Sequence, residues 1–382
     1  MDGGPLLHVG WYELHPDANL NFQLNRRAAF GGPAWVEDVR PVLPALRGYD
    51  EWRSIFVSLG ESALSQGRTR HAALHFRCAE YVMAASDARR EALRQRLLAL
   101  FRQGYGIPES SRREVPFGDV QLPTWHFPAA SPKTAVVFGG IDTYVEELFP
   151  LLLYLNREGW RVVAFEGPGQ GSVLEEQYAP MSTDWHLPVR AVLDAYDLND
   201  VTLIGVSFGG CLAIRAAAFE PRVTRVVAFN AMTDLLECIA RDQPVRVAAA
   251  LRGLLAVGAR RAIDDSASTL AQHSQAVEQA LSQAMHVFGS ATPSEALEKA
   301  KAFQTRDVSA RVRQDVLLMA GADDHYIPLE QLWEQGRLLT GARSITARVF
   351  TAGDLAQAHC QIGNLPLALH VISSWADRPK RA

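Results

Sequence analysis

Over residues 1–112, apolar side chains recur at helical spacing and β-branched runs are nearly absent, so this stretch is expected to form a helical accessory domain. Its clearest amphipathic segment runs from Ala84 to Phe101, with Leu93, Leu97, Leu98 and Phe101 set among charged residues. The pattern changes at Glu114. Glu114–Phe117 and Gln121–Phe127 suit short strands on either side of a turn at Gly118-Asp119. From there compact apolar runs alternate with helical spacing: Ala135–Phe138, Arg161–Phe165, Val201–Val206, Val223–Phe229, Asp315–Ala320 and Ser344–Thr351. Continuous apolar strands separated by helices predict an α/β domain over 113–382, built on a mainly parallel sheet covered on both faces. Between about 233 and 311 the chain is Ala- and Leu-rich with helical spacing, notably at Val245–Leu255 and Ala276–Met285. This insertion between two strands reads as a helical cap, or else as a packing helix pair with no role over a site.

Composition narrows the functional classes. With 382 residues, 48% hydrophobic and 21% charged, the chain can bury a large core, and a net charge of −4 offers no field to attract nucleic acid or an anionic membrane. A small organic molecule is the expected partner. No apolar stretch is long enough to span a bilayer, and Met1–Pro5 lacks the order of a secretory leader, so these first residues read as mature protein. Cys78, Cys211, Cys238 and Cys360 are scattered without metal-ligand or disulfide spacing, which points to reduced thiols and a cytoplasmic protein.

The candidate chemistry begins at Gly205-Val206-Ser207-Phe208-Gly209, a Gly-x-Ser-x-Gly string between a strand and the helical pattern of Cys211–Phe219. A strand turning this sharply into a helix leaves no space for side chains two positions away and projects the serine hydroxyl above the sheet. Serine is a poor nucleophile at neutral pH, so this reading needs a base and an acid to hold that base. His359, in the loop after the last strand, and Asp324, in Gly321-Ala322-Asp323-Asp324-His325-Tyr326, supply them in the order Ser, Asp, His. Asp323 is read as a turn cap, Asp234 as a weaker acid candidate and His325 as the next base candidate. The Phe208 N–H and the turn Gly139-Gly140-Ile141 are the expected oxyanion donors, Ile141 first with Gly140 behind it. Gly167-Pro168-Gly169-Gln170-Gly171 lacks phosphate-loop and dinucleotide spacing and reads as a turn shaping the pocket floor. The contiguous Asp323, Asp324 and His325 give no metal-ligand pattern. Pocket walls are expected from Asp142, Tyr144 and Tyr326, with Trp11, Tyr12 and Phe22 as further aromatic candidates.

On Gly139-Gly140, Glu166–Gly171, the Ser207 turn, Asp324 and His359, the chain resembles the α/β-hydrolase superfamily over roughly residues 114–376. It is similar in particular to the branch with a helical N-terminal domain that includes 2,6-dihydroxypseudooxynicotine hydrolase, the fungal pigment polyketide-shortening hydrolases and the fermentation-respiration switch protein. Over the first 110 residues the likeness is architectural, helped by Asn19–Arg26. The resemblance implies a site between the N-terminal helices and the core, no cofactor, a homodimer, and cleavage of esters or of carbon–carbon bonds next to a ketone. Asp142 departs from the pattern, since the nicotine-degrading relative carries Glu further along its loop, and no acid role is carried over to it. A serine hydrolase of small carbonyl compounds is therefore expected. An acyltransferase or cyclase using the same serine, or a binding protein on the same scaffold, is the alternative.

Overall fold

A computed structural model describes residues 6–241 and 245–378; the leader reading of Met1–Pro5 and positions 242–244 of the insertion lie outside it. The chain opens with helices α1 (Ala18–Val39), α2 (Tyr49–Ser65), α3 (Thr69–Tyr81) and α4 (Arg90–Tyr105). The Asp17 side chain starts α1 by accepting the Leu20 N–H at 2.9 Å, the usual satisfaction of a free helix-end donor. The helix expected from Ala84 begins only at Arg90. Asp87 accepts both the backbone N–H and the guanidinium of Arg89, and this local turn competes with the helical backbone.

Strands β1 (Arg112–Phe117) and β2 (Val120–Phe127) form a hairpin, and β3 (Thr134–Phe138) follows. Helix α5 (Phe149–Arg157) leads to β4 (Arg161–Phe165); α6 (Gly171–Glu175) and α7 (His186–Ala195) lead to β5 (Val201–Val206). Helix α8 (Gly209–Ala217) then precedes β6 (Val223–Phe229). The insertion comprises α9 (Leu235–Arg241), α10 (Val245–Ala256), α11 (Arg260–His273), α12 (Gln275–Phe288) and α13 (Pro293–Ala300). The chain closes with β7 (Asp315–Gly321), α14 (Leu329–Leu338), β8 (Ser344–Phe350) and α15 (Leu365–Ala376). The last helix starts at Leu365, because the Asn364 side chain caps it on Leu367 N and Pro366 occupies its first turn.

Among the described residues the sheet has the order β1-β2-β4-β3-β5-β6-β7-β8; β1 and β2 run antiparallel to their neighbours and the others are parallel. Side chains alternate between its faces. On β3, Ala135 and Val137 join a core shared with α1–α5 and α15, while Val136 and Phe138 join the core under α7 and α8. The N-terminal helices are thus continuous with one face of the sheet: Trp35, Phe56, Phe76 and Phe101 are fully buried in the cluster that also holds Trp125 and Phe149. The insertion contributes far less, with Val287, Phe288, Ala296 and Ala300 reaching the second core. None of the helices described is long and apolar enough to cross a membrane.

Candidate active site

Ser207 follows β5 directly and adopts φ 61°, a left-handed conformation rare for a side-chain-bearing residue. Its N–H donates to Phe229 O at 2.5 Å and its carbonyl accepts Gly210 N–H at 2.8 Å, so the turn is fastened on both sides. The flanking glycines are required by space: a Cβ on Gly205 would come within 1.9 Å of Gly209 O. Strain at Ser207 is therefore enforced by packing, which is how such conformations persist.

The three residues singled out from the sequence meet at the carboxyl ends of β5, β7 and β8. Ser207 Oγ lies 2.8 Å from His359 Nε2, and His359 Nδ1 lies 2.7 Å from Asp324 Oδ2. Burial disfavours a charged histidine, but the Asp324 carboxylate outweighs it and holds the His359 pKa above its ordinary value. Burial would likewise raise Asp324, yet His359 and the N–H groups of Ile327 and Tyr326 keep it below the usual carboxylate range. Phe22 and Tyr326 stand edge-on to the His359 ring at 5.7 and 5.0 Å and touch each other at 5.6 Å, so the three rings pack as a triangle.

Asp324 also performs the task expected of its neighbour. Its Oδ1 accepts the Tyr326 and Ile327 N–H groups at 2.8 and 2.9 Å, so Asp324, not Asp323, caps the turn with one oxygen while the other faces His359. The remaining candidates are engaged elsewhere. Asp234 caps α9 on Glu237 N and pairs with Arg306, away from His359. His325 packs against Tyr326 with ring centres 3.9 Å apart and planes tilted by 38°, and burial followed by the charge of His359 lowers its pKa to about 4.

Two buried side chains escaped the reading of the sequence. Asn230, at the end of β6, donates from Nδ2 to Asp324 Oδ2 at 2.6 Å and accepts Cys360 N–H on Oδ1 at 3.2 Å, joining the acid to the histidine loop. Gln170 donates from Nε2 to Gly139 O at 2.6 Å and Gly140 O at 3.2 Å. A trans peptide points its C=O and the following N–H in opposite directions, so drawing Gly140 O toward Gln170 turns the Ile141 N–H the other way. That loop abuts the Ser207 turn: a Cβ on Gly140 would sit 2.9 Å from Phe208 N and 3.1 Å from Ser207 Cβ. The Gly167–Gly171 segment, legible as a pocket-shaping turn, was the available signal for Gln170; nothing local marks Asn230.

A cavity of about 770 Å³ opens over Ser207, Phe208, Ile141 and His359. Asp142, Tyr144 and Tyr326 line it as expected, together with Phe22; Trp11 and Tyr12 do not. The Tyr144 hydroxyl is committed to Glu80 Oε1 at 3.0 Å, and that of Tyr326 to Asn19 and to Gln23 Nε2, the latter at 3.3 Å. One wall belongs to α1 and α3, with Asn19, Gln23, Arg26, Arg77 and Glu80; the insertion forms an apolar wall that includes Leu235, Leu251, Leu254 and Leu270. Among the described residues no group of three or more His, Cys, Asp or Glu is arranged to hold a metal ion.

Comparison with known proteins agrees with this architecture. The alpha/beta hydrolase fold model matches residues 138–357. The alpha/beta hydrolase ucsC of an Acremonium species is 28% identical over 352 residues, covering 78% of this chain and 68% of its own length. The hydrolyase poxO of Penicillium oxalicum is 33% identical over 213 residues, 48% of this chain and 50% of its own; the chain thus spans about half to two thirds of these relatives. Of solved structures, the 2,6-dihydroxy-pseudo-oxynicotine hydrolase superposes with a TM-score of 0.60 at 20% identity over 86% of this chain and 87% of its own. AbyA5 does so with a TM-score of 0.67 at 20% identity, over 94% and 93%.

Proposed function

Because this chain belongs to the α/β-hydrolase fold family, we propose that it is a serine-dependent acyl hydrolase of small organic carbonyl compounds. The observation that carries the reading is the continuous chain of short contacts from Ser207 Oγ through His359 to Asp324, opening onto the cavity. In this mechanism His359 Nε2 takes the Ser207 proton as Oγ adds to the substrate carbonyl carbon. The carbonyl electron pair moves onto oxygen, which receives the N–H groups of Phe208 and Ile141. Asp324 keeps Nδ1 protonated and stabilises the imidazolium. Collapse of the adduct expels the leaving group, His359 returns the proton to it, and water activated by His359 releases the acyl group from Ser207.

An ester or lactone loses an alkoxide by this route. A β-diketone or aryl ketone loses a carbanion that must be delocalised, and both outcomes use the same serine. Hydrolysis is favoured over acyl transfer by the relatives ucsC and the pseudo-oxynicotine enzyme, both named hydrolases.

The test is reaction with a fluorophosphonate probe, read by intact and peptide mass spectrometry. One adduct is expected, on Ser207, absent in Ser207→Ala and much weaker in His359→Ala. An unlabelled Ser207 in folded protein whose cavity admits the probe would overturn the proposal in favour of a binding protein on the same scaffold.

A further inference from the structure

Three arginines line the cavity, and their hydrogen bonding differs. Arg77 is bonded through each of its three nitrogens: Nε donates to Glu147 at 2.9 Å, Nη1 to Glu80 at 2.6 Å and Nη2 to Asp142 O at 2.5 Å. Arg90 is equally committed, with Nη1 and Nη2 on Glu175 at 2.7 and 3.0 Å and Nε at 2.9 Å from Glu80. Arg26 makes a single long hydrogen bond, Nη1 to Asp142 Oδ1 at 3.4 Å, and Nη2 stands 3.1 Å from Glu147. Its Nε has no protein acceptor among the described residues.

Surplus donors on this side chain are informative because it is held at the site. Its side chain is only 13% exposed, and it projects from α1 one turn beyond Phe22, which touches His359. One of its two carboxylate partners, Asp142, directly follows Ile141, the expected oxyanion donor. Glu147 is shared: Arg77 meets its Oε1 at 2.9 Å, while Arg26 stands 3.1 Å and Arg27 3.8 Å from its Oε2. Three guanidinium groups thus converge on one carboxylate, and of the two that also line the cavity, Arg26 and Arg77, Arg26 is the one that retains donors of its planar fork for an incoming oxygen.

We propose that Arg26 anchors an anionic oxygen of the substrate, a carboxylate or an enolate, on the wall opposite the apolar insertion. The proposal rests on the acyl-hydrolase reading and restricts its substrates to carbonyl compounds bearing an acidic group beyond the scissile bond. Hydrogen bonds to charged groups are worth about ten- to a hundred-fold in affinity when one partner is removed, and this sets the expected effect.

The experiment titrates the full-length Ser207→Ala protein calorimetrically with three probes sharing a phenyl ketone. They are neutral 1-phenylbutan-1-one, enolisable 1-phenylbutane-1,3-dione and the carboxylate 4-oxo-4-phenylbutanoate. One of the two acidic probes should bind about ten- to a hundred-fold tighter than the neutral ketone, and which one identifies the source of the oxyanion. Arg26→Gln in the same background should erase that advantage while leaving affinity for the neutral ketone in place. Arg26→Lys keeps the charge without the fork and should reduce the advantage by less; it serves as the deciding variant if Arg26→Gln does not fold. Equal binding of all three probes, or an advantage that survives these substitutions, overturns the proposal. The titration needs no turnover, so labelling of Ser207 without anion preference sinks this inference alone. Anion preference without labelling sinks only the hydrolase reading.

Discussion

The cavity has two helical walls, and they are held in opposite ways. The wall from α1, α3 and α4 is polar yet buried: Arg77 and Glu80 are each under 4% exposed, tied to each other and, through Glu147 in the connection between β3 and α5 and Arg90 of α4, to the core by short ion pairs. The insertion wall is apolar yet open: Ile239, Val247 and Leu270 remain 38%, 43% and 51% exposed, and its Arg252–Glu237 pair lies at the surface. Burying charge is costly unless every partner is present, so the first wall tolerates few arrangements and fixes direction. Apolar contact is non-directional, so the second wall governs size and shape while leaving orientation to its neighbour.

The sharpest way to isolate the walls is to silence the chemistry they enclose without touching either. Asp324→Asn removes the charge that raises His359, and turnover should fall about 10⁴-fold, as expected when the base loses its orienting carboxylate. The base must be neutral to act, so activity rises with pH as His359 loses its proton. Without Asp324 that rising limb should move to lower pH in a pH–rate profile. A limb that stays in place would mean that His359 is not the titrating base.

Next in size is a break in the polar wall. Glu147→Leu leaves Arg26, Arg27 and Arg77 without their shared carboxylate and should cost about 3–5 kcal/mol in urea unfolding. The same group predicts an acid limit. Burial would raise Glu147, but the three arginines hold it at about 2, below its unfolded value of 4.5. Its contribution is therefore present above that unfolded value and is lost as pH falls toward about 2; Glu147→Leu should flatten the decline in stability across this window. The smallest effect belongs to the apolar wall. Leu254→Ala should change stability by under about 1 kcal/mol, the range for a poorly buried position. It should raise KM for substrates with long acyl chains several-fold and leave short ones unaffected, which kinetics on an ester series would test. Comparable losses of stability from Leu254→Ala and Glu147→Leu would erase the contrast between the walls.

What could be seen in the sequence follows the same division. Strands β3 to β8 and the Ser207 turn are local patterns, since alternation, glycine spacing and the order Ser, Asp, His need no knowledge of distant partners. The cavity-lining stripe Asn19, Phe22, Gln23 and Arg26 has plain helical spacing, but α1 is buried on several faces, so its polar side could not be told from a solvated one. Asn230 and Gln170 act through contacts 94 and 31 residues away in the chain, and an isolated Asn or Gln carries no mark of that use. Adjacent side chains in a turn diverge, so the sequence assigns the cap and the histidine partner to different residues, Asp323 and Asp324, whereas the two oxygens of Asp324 perform both tasks.

The Asn230–Asp324 contact bears on how such proteins diverge. The ends of β6 and β7 present two side chains to the same point, one amide and one carboxylate, 2.6 Å apart. Exchanging them would carry the negative charge from one strand to the next while the histidine stays in its loop. A lineage built on this scaffold therefore has a short path for relocating its acid, with the amide holding the vacated place.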